Sequence, residues 1–154
     1  MTNKKERHRN DSALLLEAYM ADGGLQELED YIQRHSNLPG PRGNLELAHG
    51  FADAVAAAAG PGSGKLWGLL CALASVPAVE APVNSPGELI PFCGTLGMGA
   101  LAAEDENFRA AALGKLRSLA NDPRWRTREA VAQGLQRLAA VSPEETAALL
   151  ESLS

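Results

Sequence analysis

The residues best suited to chemistry are concentrated in one basic segment, residues 109–137. Two acids, Asp122 and Glu129, stand there against seven basic residues, which are Arg109, Lys115, Arg117, Arg124, Arg126, Arg128 and Arg137. The segment therefore carries a formal charge of +5, seven minus two, whereas the whole chain carries −5. Such a local cluster can bind an anion, either the phosphates of DNA or RNA or an acidic protein partner.

A candidate binding surface follows from the same segment. It consists of Arg117, Arg124, Trp125, Arg126, Arg128, Glu129 and Arg137. Three of these arginines crowd the first turns of a predicted helix, where the helix macrodipole disfavours cations by a few tenths of a kcal/mol each. Other groups must therefore compensate their charge, either within the protein or on a partner.

Other motifs that suggest chemistry fail in their details. The segment Gly60–Lys65, GPGSGK, is one residue short of a phosphate-binding loop, and Leu66 stands where such a loop needs Ser or Thr. It is interpreted as a linker between helices. Three further glycines, Gly94, Gly97 and Gly99, have no surrounding βαβ pattern and are predicted to be helix-packing contacts.

The sequence predicts no catalytic residue, no cofactor and no metal. The three histidines, His8, His35 and His49, have no carboxylate or cysteine at ligand spacing, and no Ser, His and Asp set suggests nucleophilic catalysis. The two cysteines, Cys71 and Cys93, lie in apolar segments without a CxxC pattern, and reduced thiols are expected. A disulfide between them stays an alternative.

The element that positions the basic segment is a predicted helix within Asn121–Leu138. Asp122 followed by Pro123 is typical of an N-cap and a first helical residue. Helical spacing places on one apolar face Thr127, Val131, Gly134, Leu135 and Leu138, with Arg124 within it and Arg128 at its edge. The same projection points Arg126, Glu129 and Arg137 away from this face.

The rest of the chain also has helical periodicity and no strand pattern. Hydrophobic residues make up 45% of the sequence and aromatic residues only 5%, which suits a core of packed helices. About eight helices are predicted, in an all-α domain covering residues 11–154 that follows a disordered basic tail, Met1–Asn10. Asp11 or Ser12 is expected to cap the first helix and Asn44 the third. The almost uniformly apolar stretch Gly87–Ala103 is predicted to be the most buried helix.

The Asn121–Leu138 stretch resembles the second helix of a HEAT repeat. The family pattern is matched by Asp122, Pro123, Arg128, Ala130 and Leu135, whereas Thr127 departs from the Val that is common there. The resemblance implies an α-α superhelix of antiparallel helix pairs, like HEAT and armadillo arrays, with repeats of about forty residues. It also implies that Arg124 and Arg128 reach acids on adjacent repeats, which would leave Arg126 and Arg137 to solvate the outer face.

Two functions follow from this resemblance. The first is a non-catalytic scaffold or interaction module whose concave face takes a protein or peptide segment. The alternative is nucleic-acid binding through residues 109–137, because Trp125 and Glu129, one turn apart, are distantly similar to the Trp and Asp pairs of HEAT-like DNA alkylation repair glycosylases. Their catalysis is not carried over.

Location and assembly are also expectations. The longest uncharged apolar run, Leu89–Ala103, is interrupted by Pro91 and three glycines and is too short to span a bilayer. With no secretory signal pattern at the N-terminus, a cytoplasmic protein without membrane contact is expected. The last predicted helix has no partner in the pairing scheme, which leaves three alternatives: a cap, a self-association surface, or a chain cut from a longer array.

Overall fold

The computed structural model describes residues 3–153, which form eight α-helices, two single 3-10 turns and no strand. The all-α class and the number of helices are therefore confirmed. The helices are α1 Lys4–Asp22, α2 Leu25–Arg34, α3 Leu45–Ala58, α4 Ser63–Ala74, α5 Leu89–Glu104, α6 Arg109–Leu119, α7 Trp125–Ala139 and α8 Pro143–Leu153. The 3-10 turns, Pro86–Glu88 and Glu106–Phe108, precede α5 and α6.

The helix α5 is the centre of the fold. Every residue from Leu89 to Ala102 is buried, because α3, α4 and α7 pack around this helix. A helix that is apolar on all sides must be surrounded by protein, and the prediction of the most buried helix is confirmed.

Glycines allow the neighbours of α5 to approach closely. A Cβ on Gly94 would lie 2.5 Å from the backbone nitrogen of Ala74 in α4, and one on Gly99 would lie 2.5 Å from the carbonyl oxygen of Gly134 in α7. A Cβ on Gly97 would meet the Leu70 side chain at 2.6 Å. The predicted role of these three glycines, helix packing, is confirmed.

The helices do not pair simply with their neighbours in sequence. The most extensive contacts run from α1 to α3, from α3 to α5 and from α5 to α7, so that alternate helices lie side by side. The expected pairing of successive helices into antiparallel pairs fails for α3 and α4, because α4 packs chiefly on α5 and has few contacts with α3. The last helix is not without a partner, since α8 packs on α7 and α6.

The N-terminal region corrects another prediction. Residues 4–10, which were expected to be part of a disordered tail, are helical, and Asn3 caps α1 by accepting a hydrogen bond from the Glu6 backbone at 2.8 Å. Ser12 is therefore buried in the middle of a helix and caps nothing. Residues 1 and 2 of the predicted tail and residue 154 of the predicted domain lie outside the described part. The cap on α3 is as expected, since Asn44 Oδ1 accepts from the Leu47 backbone at 3.0 Å.

None of the helices in residues 3–153 combines the length and the apolar character needed to cross a lipid bilayer.

Candidate binding groove

The start of α7 differs from its prediction because Asp122 binds an arginine instead of capping the helix. Asp122 Oδ1 accepts from the Arg124 backbone nitrogen at 2.8 Å and from Arg124 Nε at 2.9 Å, and Oδ2 accepts from Nη2 at 3.0 Å. The hydrogen bonds from Arg124 lower the pKa of Asp122, against the opposing effect of burial. The α-helix therefore begins at Trp125, two residues later than predicted.

Arg124 is a structural residue. It is only 1% exposed, and its remaining donors reach the carbonyl oxygens of Val76 at 2.8 Å and Ala81 at 3.1 Å. Both carbonyls belong to the connector between α4 and α5. The predicted contact with an acid on a neighbouring repeat is wrong, since Arg124 is paired with the adjacent Asp122 and joins α7 to this connector.

Arg126, predicted to face solvent, is buried as well. It is 5% exposed, and its Nη1 donates to Glu88 Oε1 at 2.8 Å while its Nη2 donates to the Gly40 carbonyl at 3.2 Å. Glu88 has no exposed surface, and its Oε1 also accepts from the Asn84 backbone at 2.7 Å. A guanidinium leaves water only where a partner offsets its desolvation. The partner here lies 38 residues earlier in the chain, which no local pattern reveals.

Arg137 is engaged in a network between α3 and α7. Its Nη2 donates to Asp53 Oδ1 at 2.9 Å and to His49 Nδ1 at 3.1 Å, and Asp53 also pairs with Lys5 at 3.2 Å. Burial alone would raise the pKa of Asp53, but the hydrogen bonds from Arg137 and Lys5 outweigh it and lower that pKa. The prediction that Arg137 merely solvates the outer face is therefore wrong.

The hydrogen bonds assign the protonation of His49. Arginine can only donate, so His49 Nδ1 accepts from Arg137, and His49 Nε2 carries the hydrogen that it donates to Gln133 Oε1 at 2.8 Å. Gln133 Nε2 in turn donates to Glu129 at 3.3 Å. Burial lowers the pKa of His49, and the charge of Arg137 lowers it further against the opposing effect of the Gln133 hydrogen bond.

The remaining basic side chains of the segment form no ion pair with the described residues. Arg128 donates to the carbonyls of Asp122 at 2.8 Å and Pro123 at 3.1 Å, and Arg109 donates to the carbonyl of Ala102 at 3.3 Å. Arg117 is exposed and makes no side-chain hydrogen bond or ion pair with the described residues. The basic segment is thus divided between arginines paired or bonded within the fold and three exposed cations, Lys115, Arg117 and Arg128.

Three members of the predicted surface, Trp125, Arg126 and Glu129, nevertheless line one groove at the start of α7. The groove has a volume of about 500 Å³. Its opposite wall consists of Asn37, Pro41, Arg42, Gly43, Asn44, Leu45 and Glu46, and Leu89 and Phe92 of α5 complete the lining. The other four predicted residues, Arg117, Arg124, Arg128 and Arg137, are not part of this lining.

The groove combines an exposed aromatic ring with exposed carboxylates. Trp125 is 46% exposed, and its ring lies 4.5 Å from the guanidinium carbon of Arg126. Glu46 and Glu129 are exposed, and so is Arg42. Because Glu88 pairs with Arg126, the exposed charges of the lining are two carboxylates and one guanidinium. The groove is therefore weakly acidic, although three of its lining residues belong to the basic segment.

Sequence reasoning missed the opposite wall. Residues 37–43 contain two prolines and two glycines, which exclude a helix, but their contact with α7 is nonlocal. The Arg126 to Gly40 hydrogen bond spans 86 residues. Only the exposed Arg42, unusual in an otherwise uncharged loop, was a local indication of a surface role.

A second polar cluster joins α1, α2 and α3. His8 Nδ1 lies 2.7 Å from the Tyr31 hydroxyl, which donates to Asp11 at 3.0 Å. Asn44 Nδ2 donates to the His35 carbonyl at 2.8 Å and lies 3.5 Å from His8 Nε2. These contacts fit a neutral His8 that donates from Nδ1, and burial lowers its pKa, as does the nearby His35. Each polar group of the cluster has a partner, so the cluster is interpreted as structural.

No three His, Cys, Asp or Glu side chains are grouped so as to hold a metal ion within residues 3–153. Cys71 and Cys93 are free thiols, and burial raises the pKa of both.

No family model, curated protein or solved structure matches the chain.

Proposed function

We propose that this protein is a non-catalytic, HEAT-like binding module, and that the groove beside Trp125 takes an extended segment of another protein. The observation that supports it is that arginines of the basic segment are paired within the fold while an aromatic ring among them is exposed. Arg124, Arg126 and Arg137 are paired with carboxylates of the fold, while the large amphipathic ring of Trp125 is left 46% exposed in a groove with polar edges. Exposed aromatic residues in pockets are typical anchors of protein interfaces.

The HEAT-like part of the proposal is supported by the order of the helices. In stacked repeats each unit buries its apolar face on the next one. Here α1, α3, α5 and α7 contact one another in succession, and α6 also contacts α8. Such an arrangement leaves the helix ends and connectors free to form a groove, as the 37–46 wall does.

The nucleic-acid alternative is less well supported. Binding to phosphates needs exposed cations that release counterions. Arg124 and Arg126 are buried with carboxylate partners, and Arg137 is paired with Asp53. The exposed cations of the segment, Lys115, Arg117 and Arg128, do not line the groove.

The test is selection of a displayed library of random short peptides on the immobilised protein. We expect peptides that bind the parent protein and lose affinity for Trp125→Ala. Leu150→Ala is the matched control, because Leu150 is a large apolar side chain of similar exposure, 51%, on α8 and away from the groove. This variant should bind the same peptides unchanged.

Two results would overturn the proposal. One is that every selected peptide binds Trp125→Ala as well as the parent protein, which would show that the groove is not the binding site. The other is steep, salt-dependent binding of a labelled duplex DNA at near-physiological salt, which would favour the alternative function.

A further inference from the structure

We propose that the segment bound in the groove is basic, and that one of its lysine or arginine side chains lies against Trp125 where Glu46 and Glu129 line the groove. This inference rests on the proposed function and adds the chemistry of the partner. The charge of this partner is opposite to the one that the sequence suggests, because the basic segment 109–137 is expected to bind an anion.

The charge of the groove is opposite in sign to that of the basic segment. Arg126 is the only arginine of the predicted surface that lines the groove, and Glu88 Oε1 lies 2.8 Å from its Nη1. Because this pair is buried, its two charges offset each other at short range. The charge presented to a ligand is then that of the exposed groups Glu46, Glu129 and Arg42, which sum to a single negative charge.

Both exposed carboxylates of the groove are available to a ligand. Among the described residues neither Glu46 nor Glu129 forms an ion pair. Glu129 accepts one hydrogen bond, from the neutral Gln133 amide at 3.3 Å. Carboxylates that are exposed and unpaired can each accept a charge-assisted hydrogen bond from a lysine or arginine.

The Trp125 ring lines the same groove as these carboxylates. Among aromatic side chains, tryptophan has the face that attracts a cation most strongly. One cation, Arg126, already lies near the Trp125 ring. Arg126 does not exclude a second cation, because Glu88 offsets its charge. The exposed part of the ring and Glu129, one turn later on α7, thus form adjacent contacts for one long basic side chain.

The net charge of the whole protein also bears on the choice of partner. The chain has a formal net charge of −5, which favours the approach of a basic partner over an acidic one. Arg42 on the same lining can pair with one acidic residue of the bound segment, whereas the two carboxylates favour a segment that is basic overall.

The first experiment sequences the peptides from the selection whose binding depends on Trp125. We expect them to be enriched in lysine or arginine relative to the unselected library. Trp125-dependent peptides without this enrichment would overturn the inference and leave the proposed function standing. A selection that yields no Trp125-dependent peptide would overturn both.

The second experiment titrates one selected peptide, and its analogue with the basic residue changed to glutamine, into the Trp67→Phe variant. Trp125 is then the only tryptophan, so its fluorescence reports on the groove. We expect the glutamine analogue to bind about tenfold more weakly. The double variant Glu46→Gln, Glu129→Gln should lower the affinity of the basic peptide similarly.

The matched control removes the same charge elsewhere. Glu144 and Glu145 are exposed on α8, so Glu144→Gln, Glu145→Gln changes the net charge equally without changing the groove. If this control weakens binding as much as the groove variant does, the effect is long-range attraction and the inference is wrong. Unchanged binding in the control supports it.

Discussion

The two ends of α7 are held in place by different means. At the first end a buried ion pair joins Arg126 to Glu88, and the adjoining surface is the groove. In the second half a backbone contact between Gly134 and Gly99 brings α7 close to α5, and Arg137 forms a partly buried ion pair with Asp53. The comparison shows that residues of the same type, on one helix, have different roles according to burial. It predicts a graded series of mutational effects.

The largest effect is expected from Arg126→Ala. This change leaves Glu88 buried without its cation, and breaking a buried pair in this way costs about 3–5 kcal/mol. Chemical denaturation measures the free energy of unfolding directly. The double variant Arg126→Met, Glu88→Gln is the control, and it should recover much of the loss because no unpaired charge remains. A loss below that of Arg137→Ala would contradict the contrast between the two ends.

A smaller loss is expected from Gly99→Ala. Its Cβ would lie 2.5 Å from the Gly134 carbonyl oxygen, so α5 and α7 must move apart, and such overpacking costs about 1–3 kcal/mol. Gly114→Ala is the matched control in α6, where a Cβ meets nothing within 4 Å. That variant should be more stable than the parent by up to about 1 kcal/mol, because alanine is the better helix former. Equal melting temperatures for the two variants would show that the close backbone contact is unimportant.

Arg137→Ala should cost only about 1 kcal/mol, since its ion pair is partly exposed, 23% and 29% for the two side chains, and Lys5 still pairs with Asp53. The side chains of Arg137 and Asp53 are both accessible to water, which can solvate the remaining carboxylate. Thermal unfolding against the parent measures the difference. A cost equal to that of Arg126→Ala would show that burial does not distinguish the two arginines.

The smallest effect is a dependence of stability on pH that arises from His49 and His8. Both have a folded-state pKa below the ordinary value of 6.5, mainly because of burial. The unfolded chain therefore binds more protons as the pH falls below 6.5, and the stability present at neutral pH decreases until the folded-state pKa values are passed. Melting temperatures should fall across this window. His49→Gln should reduce the slope, and an unchanged slope in both His49→Gln and His8→Gln would contradict the assignment.

Local signals were sufficient for the elements but not for their partners. Helical periodicity, the Asn44 cap and the apolar stretch around α5 predicted the helices and the central one correctly, because these features depend on residues within a few turns of each other. The α3–α4 pairing was wrong because the choice of neighbour depends on which surfaces fit. That choice was decided by glycine contacts such as Gly94 with Ala74.

The candidate site was likewise predicted only where it depends on local signals. The sequence singled out Trp125, Arg126 and Glu129, and all three line the groove. It could not supply the 37–46 wall or the burial of Arg126, because both depend on contacts 38 and 86 residues away along the chain.

What the sequence determined by itself is an all-helical chain with a central apolar helix and one segment rich in arginine. Short-range periodicity and capping are encoded in neighbouring residues, and these suffice for that result. Only the tertiary structure decided what the arginines do. Whether a charge faces solvent or a buried carboxylate depends on the three-dimensional neighbours that offset its desolvation, and for Arg126 that neighbour is Glu88.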